Sequence, residues 1–371
     1  MLTDSCKPKR SVGVLAIGAM VAFATLTPNP PAWAKLELLT QPARLNQQAS
    51  HAVLLAVARA GDRLIAVGES GIVLLSDDNG GTWRQASVPV SVTLTSVYFA
   101  SAKDGWVVGH SGVVLHSGDG GQTWTRQLDG RQAAQLELEA AKADAKQNGG
   151  TAQKRLVNAQ RLVEDGPDKP LLDVYFADAN TGFVVGAYGL ALATRDGGKT
   201  WQSLMGQIDN PKGKHLYRIR PVGSELYVAG EQGALYRSGD AGKRFDEIKT
   251  PYAGTYFDFI ATAQGELLVL GLRGNAYWSG NRGADWQKIE TGVPVTLTAG
   301  TRLVDGALLM VDQAGRVLRS VNGGRDFTPI AVPHSSSFTG LTQAADGALI
   351  LSGANGITRI SVGNFGGVTS K

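Results

Sequence analysis

Asp173 and Asp258 are the residues best placed by type and spacing to carry bond-breaking chemistry in this 371-residue chain. Each falls at the same place in a β-rich run, Leu172-Asp173-Val174-Tyr175-Phe176 and Phe257-Asp258-Phe259-Ile260. If both carboxyls enter one cavity, an acid and a base about 5–10 Å apart can cleave a glycosidic bond. The plainer reading is a pair of strand aspartates satisfied by neighbours or water, and spacing alone leaves both open. Other chemistries find less support. His51, His110, His116, His215 and His334 show no metal-ligand spacing. Ser76-Asp77-Asp78-Asn79-Gly80 lacks the glutamate that completes a calcium loop. No phosphate-binding glycine loop or nucleophile elbow is present. The motifs assign no catalytic residue, metal or cofactor.

A repeat must position these residues. Ser76, Asp78, Gly80 and Trp83 recur as Ser117, Asp119, Gly121 and Trp124, then as Thr194, Asp196, Gly198 and Trp201. A fourth copy has Ser238, Asp240, Gly242 and Phe245. The last two, Ser279 to Trp286 and Ser320 to Phe327, put Asn281 and Asn322 in the aspartate place. The first residues stand at 76, 117, 194, 238, 279 and 320, so the period is about 41 with one long step of 77. Self-similarity at this period marks a propeller blade, a four-stranded sheet repeated about an axis. Two glycines three apart precede each box: Gly68 and Gly71, Gly109 and Gly112, Gly186 and Gly189, Gly230 and Gly233, Gly271 and Gly274. The sixth copy keeps Gly315, and a seventh, Gly353 and Gly356, has no intact box after it.

The expected fold is all-β: a seven-bladed β-propeller of four-stranded antiparallel blades, the last lacking its outer strand. In blade 2 the reading gives strands over Thr95–Phe99, Trp106–Val108 and Val113–Ser117, with Trp124 opening the fourth. The box aspartate should accept backbone N–H groups of its own turn, and the box aromatic should wedge between sheets. The boxes are structural on this reading. Leu36 to Leu39 are expected to supply the missing strand of blade 7 and so close the ring.

Residues 1–34 read as a cleaved leader. Lys7, Lys9 and Arg10 precede an apolar run from Ser11 to Leu26, and Ala32-Trp33-Ala34 is a small-x-small cleavage site. Cys6, the only cysteine, lies inside the leader and ahead of the apolar run, so no lipid anchor is expected. The chain is therefore expected to be exported, to a bacterial periplasm, or to a thylakoid lumen if the host is photosynthetic. Without the leader, 33 basic residues face 31 acidic ones. That balance and the lack of a basic run with aromatics exclude a nucleic-acid partner. A monomer of one domain, residues 35–371, is expected.

The long step contains an insertion over 129–170. Arg131 to Gln147 and Thr151 to Glu164 are rich in Ala, Glu, Lys and Gln, and Asn148-Gly149-Gly150 separates them. This is a helical hairpin between blades 2 and 3, either packed lightly on the rim or serving as a docking arm. In a four-stranded meander it shares a face with the glycine-pair turns, opposite the boxes. The tips of those turns vary, with His110-Ser111, Ala187-Tyr188 and Leu272-Arg273 among them. A regular frame with varied tips is how a scaffold carries a binding surface.

Aspartate boxes also occur in sialidases, and Tyr217-Arg218-Ile219-Arg220-Pro221 loosely resembles their Arg-Ile-Pro element, although at blade 4 and interrupted by Arg220. A glycoside hydrolase or glycan-binding propeller that uses the central channel is thus the alternative. The blade-long pattern, with Val97-Tyr98-Phe99, Gly105-Trp106-Val107-Val108-Gly109 and Asp119-Gly120-Gly121-Gln122-Thr123-Trp124, resembles the photosystem II stability and assembly factor family and its relatives in non-photosynthetic bacteria. That resemblance implies a non-catalytic, chaperone-like propeller that binds a subunit of a membrane complex through an arginine-rich surface. Its candidates here are Arg218, Arg220, Arg273, Arg302 and Arg316, beside Tyr188, His110, Asp173 and Asp258.

Overall fold

A computed structural model describes residues 37–361 apart from positions 149, 293 and 335. The leader and Cys6 lie outside the described residues. Seven antiparallel sheets follow one another along the chain, six of four strands and one of three. Their inner strands are Leu54–Ala60, Leu94–Phe99, Leu171–Phe176, Leu216–Val222, Tyr256–Ala261, Leu297–Arg302 and Phe338–Gln343. Each second strand is almost wholly buried, as in Gly182–Gly186 and Leu267–Gly271, because neighbouring blades cover both its faces. Such strands read as unbroken apolar runs where a half-exposed strand would alternate. Trp106 of blade 2 stacks on Phe176 of blade 3 with centroids 3.5 Å apart. Each fully buried large apolar side chain stabilises this inter-blade core by about 1.5–3 kcal/mol.

The boxes tie their turns as the sequence predicts. Ser76 Oγ donates to Asp78 Oδ1 at 2.8 Å and accepts from the Gly80 amide at 2.8 Å. Asp78 accepts from the Thr82 amide and from Thr82 Oγ1, at 2.8 and 2.7 Å. These bonds pull the Asp78 pKa down to about 2. Where asparagine replaces the aspartate, the bond reverses. Asn281 Nδ2 donates to Asp285 Oδ2 at 2.8 Å, and Asn322 Nδ2 donates to Asp326 Oδ2 at 3.0 Å. An Asp–Thr pair has become an Asn–Asp pair with the same shape. The aromatics wedge between sheets: Trp124 packs with Ile65 and Leu75 of blade 1, and Trp286 Nε1 donates to Lys249 O of blade 4 at 3.1 Å.

The ring closes differently from the expectation. Leu38 and Leu39 form no strand, and among the described residues blade 7 keeps three. Leu39 is buried with Val88, Val90 and Trp124 between blades 1 and 2. Its carbonyl accepts from Arg126 Nη1 at 2.6 Å, and the Leu38 carbonyl accepts from the Ser91 amide at 2.8 Å. A short apolar run satisfies a groove as well as a sheet edge, and the groove takes it. Closure comes from side chains instead. Thr339 Oγ1 of blade 7 donates to Leu54 O of blade 1 at 2.7 Å. Thr95 to Leu171 O and Thr298 to Phe338 O repeat that bond, each at 2.7 Å, across two other blade junctions. Blade 7 also turns more tightly between its second and third strands. Gly353 pairs with Gly356, so Ile360, not Ser361, takes the place of the box serine.

The insertion forms helices α1 (Gly130–Asn148) and α2 (Thr151–Glu164). It is packed firmly, contrary to a light excursion. Glu137 of α1 is 2% exposed, receives Arg155 Nε and Nη2 of α2 at 2.9 Å each, and accepts a hydrogen bond from Ser203 Oγ in the outer strand of blade 3. Ala133 joins the core of blades 2 and 3.

Candidate functional site

Inner strands begin on the face of the glycine-pair turns: Leu216 pairs with Gly230, and Tyr256 with Gly271. Box turns lie at the other end, since Ser238 pairs with Leu226 near the inner strand's exit. The hairpin starts on the glycine-turn face, where a Cβ on Gly112 would meet Gly130 at 2.5 Å. The channel enclosed by the seven inner strands holds a cavity of about 300 Å³.

The third residue of each inner strand is among those that line this channel. Ser96, Asp173, Arg218 and Asp258 hold that place in blades 2 to 5. The sequence set the two aspartates at equivalent places but missed that Arg218 occupies the same place in the blade between them. Arg218 bridges both, with Nη1 3.6 Å from Asp173 Oδ1 and Nε 2.7 Å from Asp258 Oδ1. The second approach is a charge contact only, because the Nε–H makes no hydrogen bond. Burial works against the Arg218 charge, but the two carboxylates outweigh it and hold its pKa above the ordinary value.

Both carboxylates are fully engaged. Asp173 accepts from Ser96 Oγ at 2.7 Å, from the Ile219 amide at 2.8 Å, and from Arg220 Nη1 and Nη2 at 2.7 and 3.1 Å. Asp258 accepts from the Phe259 and Gly300 amides, each at 2.8 Å. Burial raises the Asp258 pKa, with Arg218 opposing. Burial and the neighbouring Arg218 charge lower that of Arg220. The two backbone N–H groups on Asp258 and the Arg220 pair with one backbone N–H on Asp173 favour the carboxylate over the protonated form that a general acid needs.

The other candidates divide between the two faces. Arg273 is the exposed tip of the blade 5 glycine turn; in blade 2 Ser111 has that place, and the exposed His110 stands one residue before it, where blade 5 has Leu272. Arg316 sits at the blade 6 turn but is locked, its Nε donating to buried Asp312 at 2.6 Å. Arg302 ends its inner strand opposite Leu308, on the box side. The arginines therefore form no single patch. Tyr188, 56% exposed with φ 57°, tips the blade 3 turn. Lys169 Nζ lies 4.7 Å from its ring centroid. Among the described residues no cluster of three or more His, Cys, Asp or Glu could hold a metal ion. Among them, too, no helix is long and apolar enough to cross a membrane.

The family described as Photosynthesis system II assembly factor YCF48 matches residues 79–148 and 153–337. Photosystem II assembly lipoprotein Ycf48 of Synechococcus sp. (strain CC9902) is 32% identical over 77 residues, which is 21% of this chain and only 23% of that protein. A solved structure titled YCF48 bound to D1 peptide superposes with a TM-score of 0.63 at 17% identity, covering 86% of this chain and 96% of that one. A streptogramin B lyase gives the same TM-score at 14% identity, with the same two coverages of 86% and 96%. At such identities the likeness shows the propeller fold alone and does not divide scaffold from enzyme. The sequence match over both arms of the repeat does more, and by it the chain belongs to the photosynthesis system II assembly factor YCF48 family.

Proposed function

We propose that this chain is an exported, non-catalytic scaffold that binds a protein subunit on its glycine-turn face and assists assembly or stability of a membrane complex. One observation carries the reading. The charged groups of the channel are spent on one another, whereas the mouth on the glycine-turn face offers varied, exposed tips beside a firmly docked hairpin. Asp173 and Asp258 hold Arg218 and Arg220 in place, and that is a structural use of carboxylates. Scaffolds commonly bind through loops held by a rigid frame. The peptide complex formed by a fold relative supports a polypeptide partner. Capture of detergent-solubilised host membrane proteins tests this, with full chain compared against a chain lacking residues 131–164 and against Arg273→Ala. A membrane subunit retained by the full chain and lost from either variant is expected. An unchanged partner list in both variants contradicts the proposal. Release of reducing sugar from polysaccharide, lost in Asp258→Asn, would instead favour a glycosidase.

A further inference from the structure

We infer that Tyr188, His215, Tyr217 and Phe257 form a ladder that takes up proline or aromatic side chains of an extended, acidic peptide segment. The inference rests on the protein-binding reading above and names the chemistry of the partner. Four rings follow one another from the blade 3 tip to the channel mouth, with successive centroid separations of 4.8, 6.4 and 5.0 Å. Tyr188 is exposed and the other three are partly so. Tyr217 and Phe257 line the cavity itself. An extended chain rising about 3.3 Å per residue would cover the row with roughly five residues.

The ladder is built, not incidental. Tyr188 stands at φ 57°, a region that bulky residues rarely adopt. The same place is left-handed at Ser70, Ser111, Gln232 and Arg273, so the φ belongs to the repeated turn; what is particular to blade 3 is that the turn holds a tyrosine there and presents its ring. The His215 amide donates to Glu231 Oε1 at 2.9 Å, and its carbonyl accepts the Glu231 amide at 3.0 Å, so the His215 backbone is held. Adjacent rings are tilted by 57° and 67°, which leaves notches between rings and no flat platform. Notches suit a proline or an aromatic edge, whereas a sugar face prefers a flat ring. Arg218 is already held between Asp173 and Asp258, and Lys169, over the Tyr188 ring, pairs with Asp165 and Asp168, which leaves the exposed tip Arg273 as a cation beside the row. It favours a carboxylate flanking the apolar residues.

The test is fluorescence anisotropy with two labelled peptides of roughly ten residues. One carries two prolines and a tryptophan in an Asp/Gly background, and the other has serine at those positions. The full chain should bind the first about five- to tenfold more tightly. Tyr188→Gly, which suits the turn's φ, combined with Phe257→Leu, which keeps apolar volume, should abolish the preference at unchanged melting temperature. Equal affinities, no binding of either peptide at about 1 mM, or a preference that survives both substitutions each overturn the ladder. So does competition by cellohexaose. Equal binding of both peptides that Arg273→Ala removes would overturn the ladder alone and leave the protein-binding reading standing.

Discussion

Arg220 of blade 4 grips Asp173 of blade 3 with both terminal nitrogens, Nη1 to Oδ2 at 2.7 Å and Nη2 to Oδ1 at 3.1 Å. Asp173 is 1% exposed. Arg220→Ala leaves a buried carboxylate beside Arg218 alone and is expected to cost about 3–5 kcal/mol. Replacing both residues, Arg220→Met with Asp173→Asn, should recover much of the loss. Urea unfolding of the unchanged chain and of both variants measures it.

The hairpin depends on Glu137. Glu137→Ala leaves Arg155 with Asp144 alone and takes away the acceptor of Ser203 Oγ, and should cost about 2–4 kcal/mol. Hydrogen exchange should speed up across α1 and α2 while the second strands stay protected. Unchanged exchange in the helices would show that their apolar contacts suffice.

The reversed boxes predict a rescue. Asn281→Asp sets a carboxylate against Asp285, where a donor now lies 2.8 Å away. The single change should lose about 0.5–1.5 kcal/mol, and adding Asp285→Thr should restore it by recreating the pairing of Asp78 with Thr82. A double-mutant cycle reads the coupling.

Acid should weaken the propeller through its boxes. Hydrogen bonds hold Asp78 and Asp196 at about 2 in the folded chain, and Asp119 reaches about 2 despite an opposing burial effect, against an ordinary 3.8. A carboxylate depressed by folding stabilises above its unfolded pKa and loses that contribution as pH falls through the folded one. Stability should therefore drop between pH 3.8 and about 2. Asp258, raised by burial, acts with the opposite sign. A triple variant with Asn at positions 78, 119 and 196 should show a flatter acid limb in urea midpoints.

Much of this was legible from residues. Box spacing gave the blades, and the change to Ala, Glu and Lys gave both helices nearly to the residue. Four things were not. Leu39 is apolar enough for an edge strand or a groove, and only the fold shows that the groove between blades 1 and 2 is open to it. The shorter turn at Ala354-Asn355 moves the box place by one residue, which a fixed period cannot reveal. Arg218 enters the sequence reading as one of five surface arginines, although aligning third residues of successive inner strands places it between Asp173 and Asp258. The aromatic row joins residues from three blades, and no linear pattern links them.

The face assignment is tested most directly by a hydrogen-exchange footprint of the full chain with and without its captured membrane partner. Protection is expected at residues 186–190, 213–218 and 271–274, with box turns such as 76–83 unchanged. Protection confined to the box turns would contradict it.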